Sequence, residues 1–372
     1  MKKLLLVVLA LGLTTRLFAQ GYKTQNIIIV TIDGLRWQEV YRGADSALIN
    51  SAYTDDKTTT KKQYWSEDEG ERRQMLFPFL WSVIDRSGQL YGNRDAGNHD
   101  EVANRYYFSY PGYSEIFAGY ADPRMNTNNA VTNPNTTVLE YLNKQKGFQN
   151  KVAVFASWER FTQIFNPQHS GLMVNAGYMN LQQPGMSDRL KFLNEMQHKA
   201  PHYLGDSTRI DFLTFEFARK YLKQYQPRVL YVAFDETDEF AHAGNYRFYL
   251  DRAHQADLFI KQLWEDIQTN PLYKDKTTLL ITCDHGRGDT SPASWRNHGI
   301  IIAPHSEQTW FAIIGPDTQA KGEMGPGAPT YHKQLAQTIA NLLGFDFKAA
   351  AGHEVNDPIS TVATKAVTLV SK

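Results

Sequence analysis

Five short runs of apolar, largely β-branched residues punctuate the chain, at 27–32, 152–156, 229–234, 279–282 and 310–314. Each is continuously apolar and gives way to a polar or glycine-containing turn. Continuous runs of this length predict strands covered on both faces, because a half-solvated strand alternates apolar with polar residues. Between them, apolar residues recur at helical spacing over 137–146, 211–224, 248–268 and 332–343. Such strands alternating with amphipathic helices predict an α/β fold with a central, mostly parallel sheet and helices on both faces.

Two stretches interrupt that alternation. Residues 45–73 are polar and charged and read as a surface excursion near the first strand. Residues 167–206 contain Pro, Gly and His, and read either as an insertion or lid that shapes substrate entry or as a mobile surface loop. With no internal repeat and no Pro- or Ser-rich linker, the expectation is one catalytic domain over 21–350. A signal peptide over 1–20 precedes it, and a tail over 351–372 is expected to fray.

The amino terminus reads as an export signal. Met1-Lys2-Lys3 is basic, residues 4–13 are apolar, and Ala19-Gln20 offers a small residue for cleavage. The apolar run is too short to span a bilayer, so no stable membrane anchor is expected. No Cys lies near the cleavage point to take a lipid, and Cys283 is the chain's single cysteine, so no intramolecular disulfide can form. These features predict a periplasmic or secreted protein. Lys+Arg and Asp+Glu are equal at 39 each, which removes the electrostatic reason to expect a nucleic acid polymer as partner. Oligomeric state stays open.

The chemistry concentrates at the ends of the predicted strands. Asp33 ends the first apolar run, the pair Asp284-His285 closes another, and Asp238 and His242 stand four apart after 229–234, on one face of a helical turn. Ligands in open α/β sheets gather at the carboxyl ends of strands, so these carboxylates can converge. Mixed imidazole and carboxylate donors suit zinc, or manganese where oxygen dominates. Each motif alone has a plainer reading: a solvated Asp-His pair, a strand-end cap or a buried ion pair. Ser109 lies in Ser109-Tyr110-Pro111, a turn that leads into a helix and can present the hydroxyl at the helix amino terminus, where an anion is favoured. Taken singly, Ser109 and Ser114 also read as simple N-caps.

In order, these residues (Asp33, Ser109-Tyr110-Pro111, Asp238 and His242, Asp284-His285, His298-Gly299) resemble the alkaline phosphatase superfamily, and within it the type I phosphodiesterase/nucleotide pyrophosphatase proteins. Gly119 follows Ser109 by ten residues, and Gly315-Pro316 follows His298-Gly299, as in those proteins. The resemblance implies a hydrolase that uses two divalent ions, zinc with manganese as an alternative. Asp238, His242 and His298 would hold one ion, and Asp33, Asp284, His285 and Ser109 the other. It also implies that Ser109 forms a phosphoseryl intermediate with a small phosphate-ester substrate.

The departures keep rivals in view. The phosphodiesterases carry Thr-Phe-Pro-Asn where this chain has Ser109-Tyr110-Pro111-Gly112. A mutase-like reading would make Ser114, before Glu115, the nucleophile, and a phosphomonoesterase of the same superfamily is a further alternative. Sulfatases place a basic residue where this chain has Tyr113. A binding protein on the same scaffold is the non-catalytic alternative. By the same resemblance, the asparagine that helps to bind the phosphoryl oxygen in the phosphodiesterases would fall among Asn126, Asn128 and Asn129, with Asn128 preferred. Arg160 has the chemistry to contact a phosphate, its plainer reading being an ion pair with Glu159. Tyr110 and Trp158 can stack a base or sugar, or simply pack in the core.

Overall fold

The computed structural model describes residues 22–362, so the expected signal peptide lies outside the described residues. Eight strands form the main sheet: β1 (Asn26–Ile32), β2 (Gln89–Tyr91), β3 (Val152–Ala156), β4 (Met173–Ala176), β5 (Val229–Phe234), β6 (Thr277–Thr282), β7 (Phe311–Ile314) and β8 (Gly322–Glu323). Their spatial order is β8-β2-β7-β6-β1-β5-β3-β4. β7 runs antiparallel to both neighbours and every other pairing is parallel.

The continuous apolar runs are explained by the two cores. Along β1, Ile28, Val30 and Ile32 enter one buried cluster, while Ile27 and Ile29 enter the cluster on the opposite face. β5 divides the same way, with Leu230, Val232 and Phe234 on one side and Val229, Tyr231 and Ala233 on the other. Alternate side chains of a strand point to opposite faces, so a strand buried twice must be apolar throughout.

Four helices matter for the site: α1 (Ser109–Ala118), α2 (Asp211–Tyr225), α3 (Glu236–His242) and α4 (Tyr246–Thr269). α4 buries Tyr246, Tyr249, Leu250, Ala253, Ile260, Leu263 and Ile267, a stripe at helical spacing, and Asn245 caps its first turn through Phe248 N. α1 ends at Gly119, whose φ of +70° is the left-handed conformation that glycine adopts without strain.

Three expectations change. Residues 45–73 form three short helices, Ser46–Asn50, Lys57–Tyr64 and Glu69–Leu76, each capped by an aspartate, Asp45, Asp56 and Asp68. Leu48, Ile49, Tyr64 and Leu76 anchor them in the core, a stripe too thin to stand out among the charges. The stretch 167–206 contains the edge strand β4 and a helix, Asp188–Lys199, so part of it belongs to the main sheet. Four residues are too few to display a period. The chain beyond 350 does not fray within the described residues: Val355, Ile359 and Val362 are buried with Phe117 and Leu335, and Asn356 N donates to Gly119 O at 3.1 Å. Among the described residues no helix is long and apolar enough to cross a membrane.

Candidate metal centre

Three neighbouring strands bring the acidic residues together. β1 lies between β5 and β6, with Ile32 opposite Phe234 and Thr31 opposite Thr282. Asp33 therefore leaves the sheet beside Asp284, and α3, springing from the end of β5, carries Asp238 and His242 one turn apart. Cys283, between β6 and Asp284, packs into the core. His298 arrives on the loop after a 3-10 turn at Ser294–Arg296.

The first turn of α1 closes the site from above. A Cβ on Gly112 would stand 2.3 Å from the Asp284 carbonyl oxygen, so only glycine lets this helix seat so closely on the strand end. Ser109, the first residue of α1, is thereby held with Oγ 3.3 Å from His285 Nε2. His285 Nε2 is 3.2 Å from Asp284 Oδ2 and 3.6 Å from Asp33 Oδ1. In the second set, His242 Nε2 is 3.0 Å from Asp238 Oδ2 and 3.1 Å from His298 Nε2. A tetrahedral zinc ion with bonds of about 2.0–2.1 Å separates its ligand atoms by about 3.3 Å, which is the spacing found here.

Each carboxylate divides its two oxygens. Asp33 Oδ2 accepts from Tyr113 Oη at 2.9 Å, Asp284 Oδ1 accepts from Gly34 N at 3.0 Å, and Asp238 Oδ1 accepts from Arg287 Nη1. The other oxygens of Asp33 and Asp284 are buried without any hydrogen-bond partner. An unsatisfied buried polar group costs about 1–3 kcal/mol, and more when charged, so this pair of orphans fits a divalent cation. The histidines are oriented in the same manner, His285 Nδ1 on Gly286 O at 2.8 Å and His298 Nδ1 on Tyr107 O at 2.7 Å, which turns each Nε2 towards the carboxylates.

The electrostatics agree with that reading. Burial, reinforced by Asp284 and Asp238, holds the Asp33 carboxyl well above its ordinary range, and burial pushes Asp284 up to about 7. Burial drives His285 down to about 4 and His298 well below its ordinary value, which leaves both imidazoles neutral with a lone pair to offer. For Asp238 burial acts upward, yet Arg287, His242 and His298 together hold it well below the usual carboxylate range. Buried acids that resist ionisation and histidines that resist protonation suit a cation supplied from outside.

The two sets share a wall. The rings of His285 and His298 stack with centroids 3.9 Å apart, and His285 groups both with Asp33 and Asp284 and with Asp238 and His298. A clean division into two separate spheres is thus modified at His285. Solvent reaches the two sets unequally: the His242 side chain is 42% exposed, whereas Asp33, Asp284 and His285 are 0% exposed and Ser109 5%.

The remaining sequence candidates are dispersed. Ser114 is buried on α1 with its Oγ taken by Asn133 Nδ2 at 3.2 Å, and Glu115 accepts from Ala103 N, Asn104 N and Lys333 N, so this pair braces loops. Asn128 Oδ1 accepts from Tyr110 N at 3.0 Å, immediately beside Ser109. Arg160 forms the plainer ion pair, Nη1 to Glu159 Oε1 at 2.5 Å, and also donates to Asn128 O at 3.2 Å. Tyr110 is corrected as a stacking residue: its ring is buried and its hydroxyl donates to Val131 O, because α1 buries that face. Trp158 packs against the core beside Phe161, with centroids 6.5 Å apart. Reading the sequence missed Tyr113, Gly112 and Arg287. Tyr113 was detectable as the residue one helical turn after Ser109, whereas Arg287 carried no spacing signal.

Comparison with known proteins follows this geometry. The fold is the α/β arrangement seen in hydrolytic enzymes that include an alkaline phosphatase and a phosphonate monoester hydrolase. A family profile described as Type I phosphodiesterase / nucleotide pyrophosphatase matches residues 49–324, most of the chain. The chain belongs to that family. The match begins after Asp33, which the sheet alone brings to the site.

Among solved structures, a putative sulfatase from Bacteroides thetaiotaomicron superposes with a TM-score of 0.61 at 13% identity, over 93% of this chain and 76% of that one. A phosphonate monoester hydrolase from Silicibacter pomeroyi gives 0.58 at 12% identity, over 93% and 78%. The wild-type alkaline phosphatase PafA gives 0.55 at 10% identity, over 92% and 99%. At these identities the likeness speaks for the fold. No curated protein matches the sequence.

Proposed function

We propose that this protein hydrolyses small phosphoric esters, diesters in preference to monoesters, with Ser109 as nucleophile. The observation that carries the reading is Ser109 Oγ, 3.3 Å from His285 Nε2 and in the same cradle as the orphaned Asp33 and Asp284 oxygens. Asp33, Asp284, His285 and Ser109 would hold one divalent ion and Asp238, His242 and His298 the other, zinc being the best match, and such ions supply Lewis-acid charge stabilisation and lower the pKa of bound oxygen.

The chain's own residues then do the following. Ser109 Oγ forms a bond to phosphorus while the P–O bond to the leaving group breaks; the ester oxygen departs with that electron pair and takes up a proton from solvent, to which Ser109 loses its own. Water next attacks the phosphoserine, releases phosphate or a phosphomonoester, and returns Ser109 to its hydroxyl form. The amino end of α1 favours the anionic phosphoryl group, and Asn128, held at Tyr110 N, lies beside it. Arg160 and Arg287 are each already paired with a carboxylate, Glu159 and Asp238, so neither brings the net positive charge that a dianionic monoester demands. That supports the diester preference. The basic and apolar amino terminus supports export to the periplasm or medium, to be checked by sequencing the mature amino terminus from cell fractions.

The decisive test compares metal-loaded wild type, Ser109→Ala and Ser114→Ala on bis-nitrophenyl phosphate, nitrophenyl phosphate and nitrophenyl sulfate. Acid-quenched turnover mixtures would be mapped for phosphoserine. We expect Ser109→Ala to lose on the order of 10³-fold or more in kcat, Ser114→Ala to keep turnover, and the trapped phosphate to lie on Ser109. Full turnover by Ser109→Ala would remove the nucleophile assignment. Cleavage of the sulfate ester alone would remove the reaction class.

A further inference from the structure

Arg287 stands two residues after His285 with 0% of its side chain exposed. A buried guanidinium needs its donors matched, and here each partner lies on a segment that carries or leads to a metal-ligand candidate. Nη1 donates to Asp238 Oδ1 on α3. Nε donates to Trp295 O at 2.7 Å, and Nη2 donates to Arg296 O at 2.5 Å, on the turn that leads into His298. Gly288 N adds a bond to Asn297 O at 3.0 Å, next to the same histidine. The fork is tightly enclosed: a Cβ on Gly34 would fall 2.6 Å from both Arg287 Nη1 and Asp238 Oδ1.

The geometry points to Arg287 as a positioning residue for the metal shell of Asp238, His242 and His298. By occupying Asp238 Oδ1 it leaves Oδ2 as the single oxygen turned to His242, and so imposes one-oxygen ligation. Its two carbonyl bonds fix the loop that delivers His298 relative to the helix that delivers Asp238 and His242. The three ligands come from two segments, α3 and the loop bearing His298, and Arg287 joins both to a third, the one bearing His285. This inference rests on the metal reading of the site.

The role depends on the planar fork as well as on charge. A lysine keeps the charge but cannot serve three acceptors that diverge in one plane. The partners beyond the ligands of a metal site typically govern about 10–100-fold in metal affinity. Asp33, Asp284 and Ser109 form no hydrogen bond or ion pair with Arg287, so the ion they would hold with His285 should be affected less.

The test uses the full chain stripped by chelation and titrated with zinc against a chromophoric competitor, comparing wild type, Arg287→Met and Arg287→Lys. Cobalt absorption would report the coordination geometry. We expect two equivalents in wild type, with one of the two affinities about 10–100-fold weaker in Arg287→Met, the other much less affected, and no recovery in Arg287→Lys. In a double variant with His242→Ala the losses should fall on the same one affinity and combine non-additively, because both changes act on one ion. The inference is overturned if folded Arg287→Met binds both equivalents with wild-type affinity, or if both affinities fall alike. Should Arg287→Met fail to fold, Arg287→Lys decides by the same two affinities. Fewer than two equivalents in wild type would instead defeat the underlying two-ion reading, whatever the variants do.

Discussion

Tyr113→Phe isolates one hydrogen bond at the heart of the site. Tyr113 and Asp33 are both fully buried, and Tyr113 Oη donates to Asp33 Oδ2 at 2.9 Å. Burial, with Asp284 and Asp33 adding to it, keeps the phenol well above its ordinary pKa, so it remains a donor throughout the accessible range. Phenylalanine preserves the ring, which packs on Phe161 with centroids 4.6 Å apart, and removes only the O–H. A hydrogen bond to a charged group contributes about 1.5–3 kcal/mol, equivalent to about 10–150-fold in an equilibrium constant. That agrees with the loss of about 10–100-fold usual for groups that orient metal ligands. Zinc titration of the apo-protein should therefore show one affinity weakened by about 10–100-fold and the other intact. At saturating zinc, turnover should recover much of its wild-type value. If a folded Tyr113→Phe protein bound both ions within about twofold of wild type, the claim that Tyr113 presents Asp33 to a cation would be wrong.

Gly112→Ala should lower the melting temperature and turnover together, since its Cβ would meet the Asp284 carbonyl at 2.3 Å and lift α1 from the strand end; overpacking of this kind costs about 1–3 kcal/mol, and an unchanged melt would refute the close seating. Glu115→Gln should destabilise by about 1.5–3 kcal/mol through loss of charge-assisted bonds to Ala103 N, Asn104 N and Lys333 N, while metal stoichiometry stays at the wild-type value. His332 tests a pH dependence: burial acts to lower its pKa, but Asp100 at 2.9 Å holds it above the ordinary value. A raised folded pKa contributes stability that is complete below the unfolded value of about 6.5 and disappears as pH rises through the folded one. The gap in melting temperature between wild type and His332→Gln should hence be largest in mildly acidic buffer and shrink in alkali; a gap that widened with pH would reverse the assignment.

The strands and long helices were legible because burial on two faces leaves an unmistakable mark. The runs at 152–156 and 229–234 coincide with β3 and β5, and 248–268 lies within α4. The order of Asp33, Ser109, Asp238, His242, Asp284, His285 and His298 also pointed to the family before any distance was known. Short elements were not legible. The capped helices after Asp45 and the four-residue edge strand β4 owe their existence to contacts made elsewhere in the chain. A few residues offer no period to read, and local propensity is too weak to fix them alone.

By itself, then, the sequence determined the central strands of the sheet, its covering helices and the identity of the candidate donor atoms, since these follow from the hydrophobic pattern and from side-chain chemistry. Only the tertiary structure decided how those donors are shared. It set β1 between β5 and β6, stacked His285 on His298 where two separate spheres were expected, and turned Tyr110 inward and Tyr113 onto Asp33. It also brought in Arg287, whose three partners lie 49, 8 and 9 positions away along the chain. Orientation, hydrogen-bond partnership and solvent access depend on groups far apart in sequence, and no local spacing encodes them.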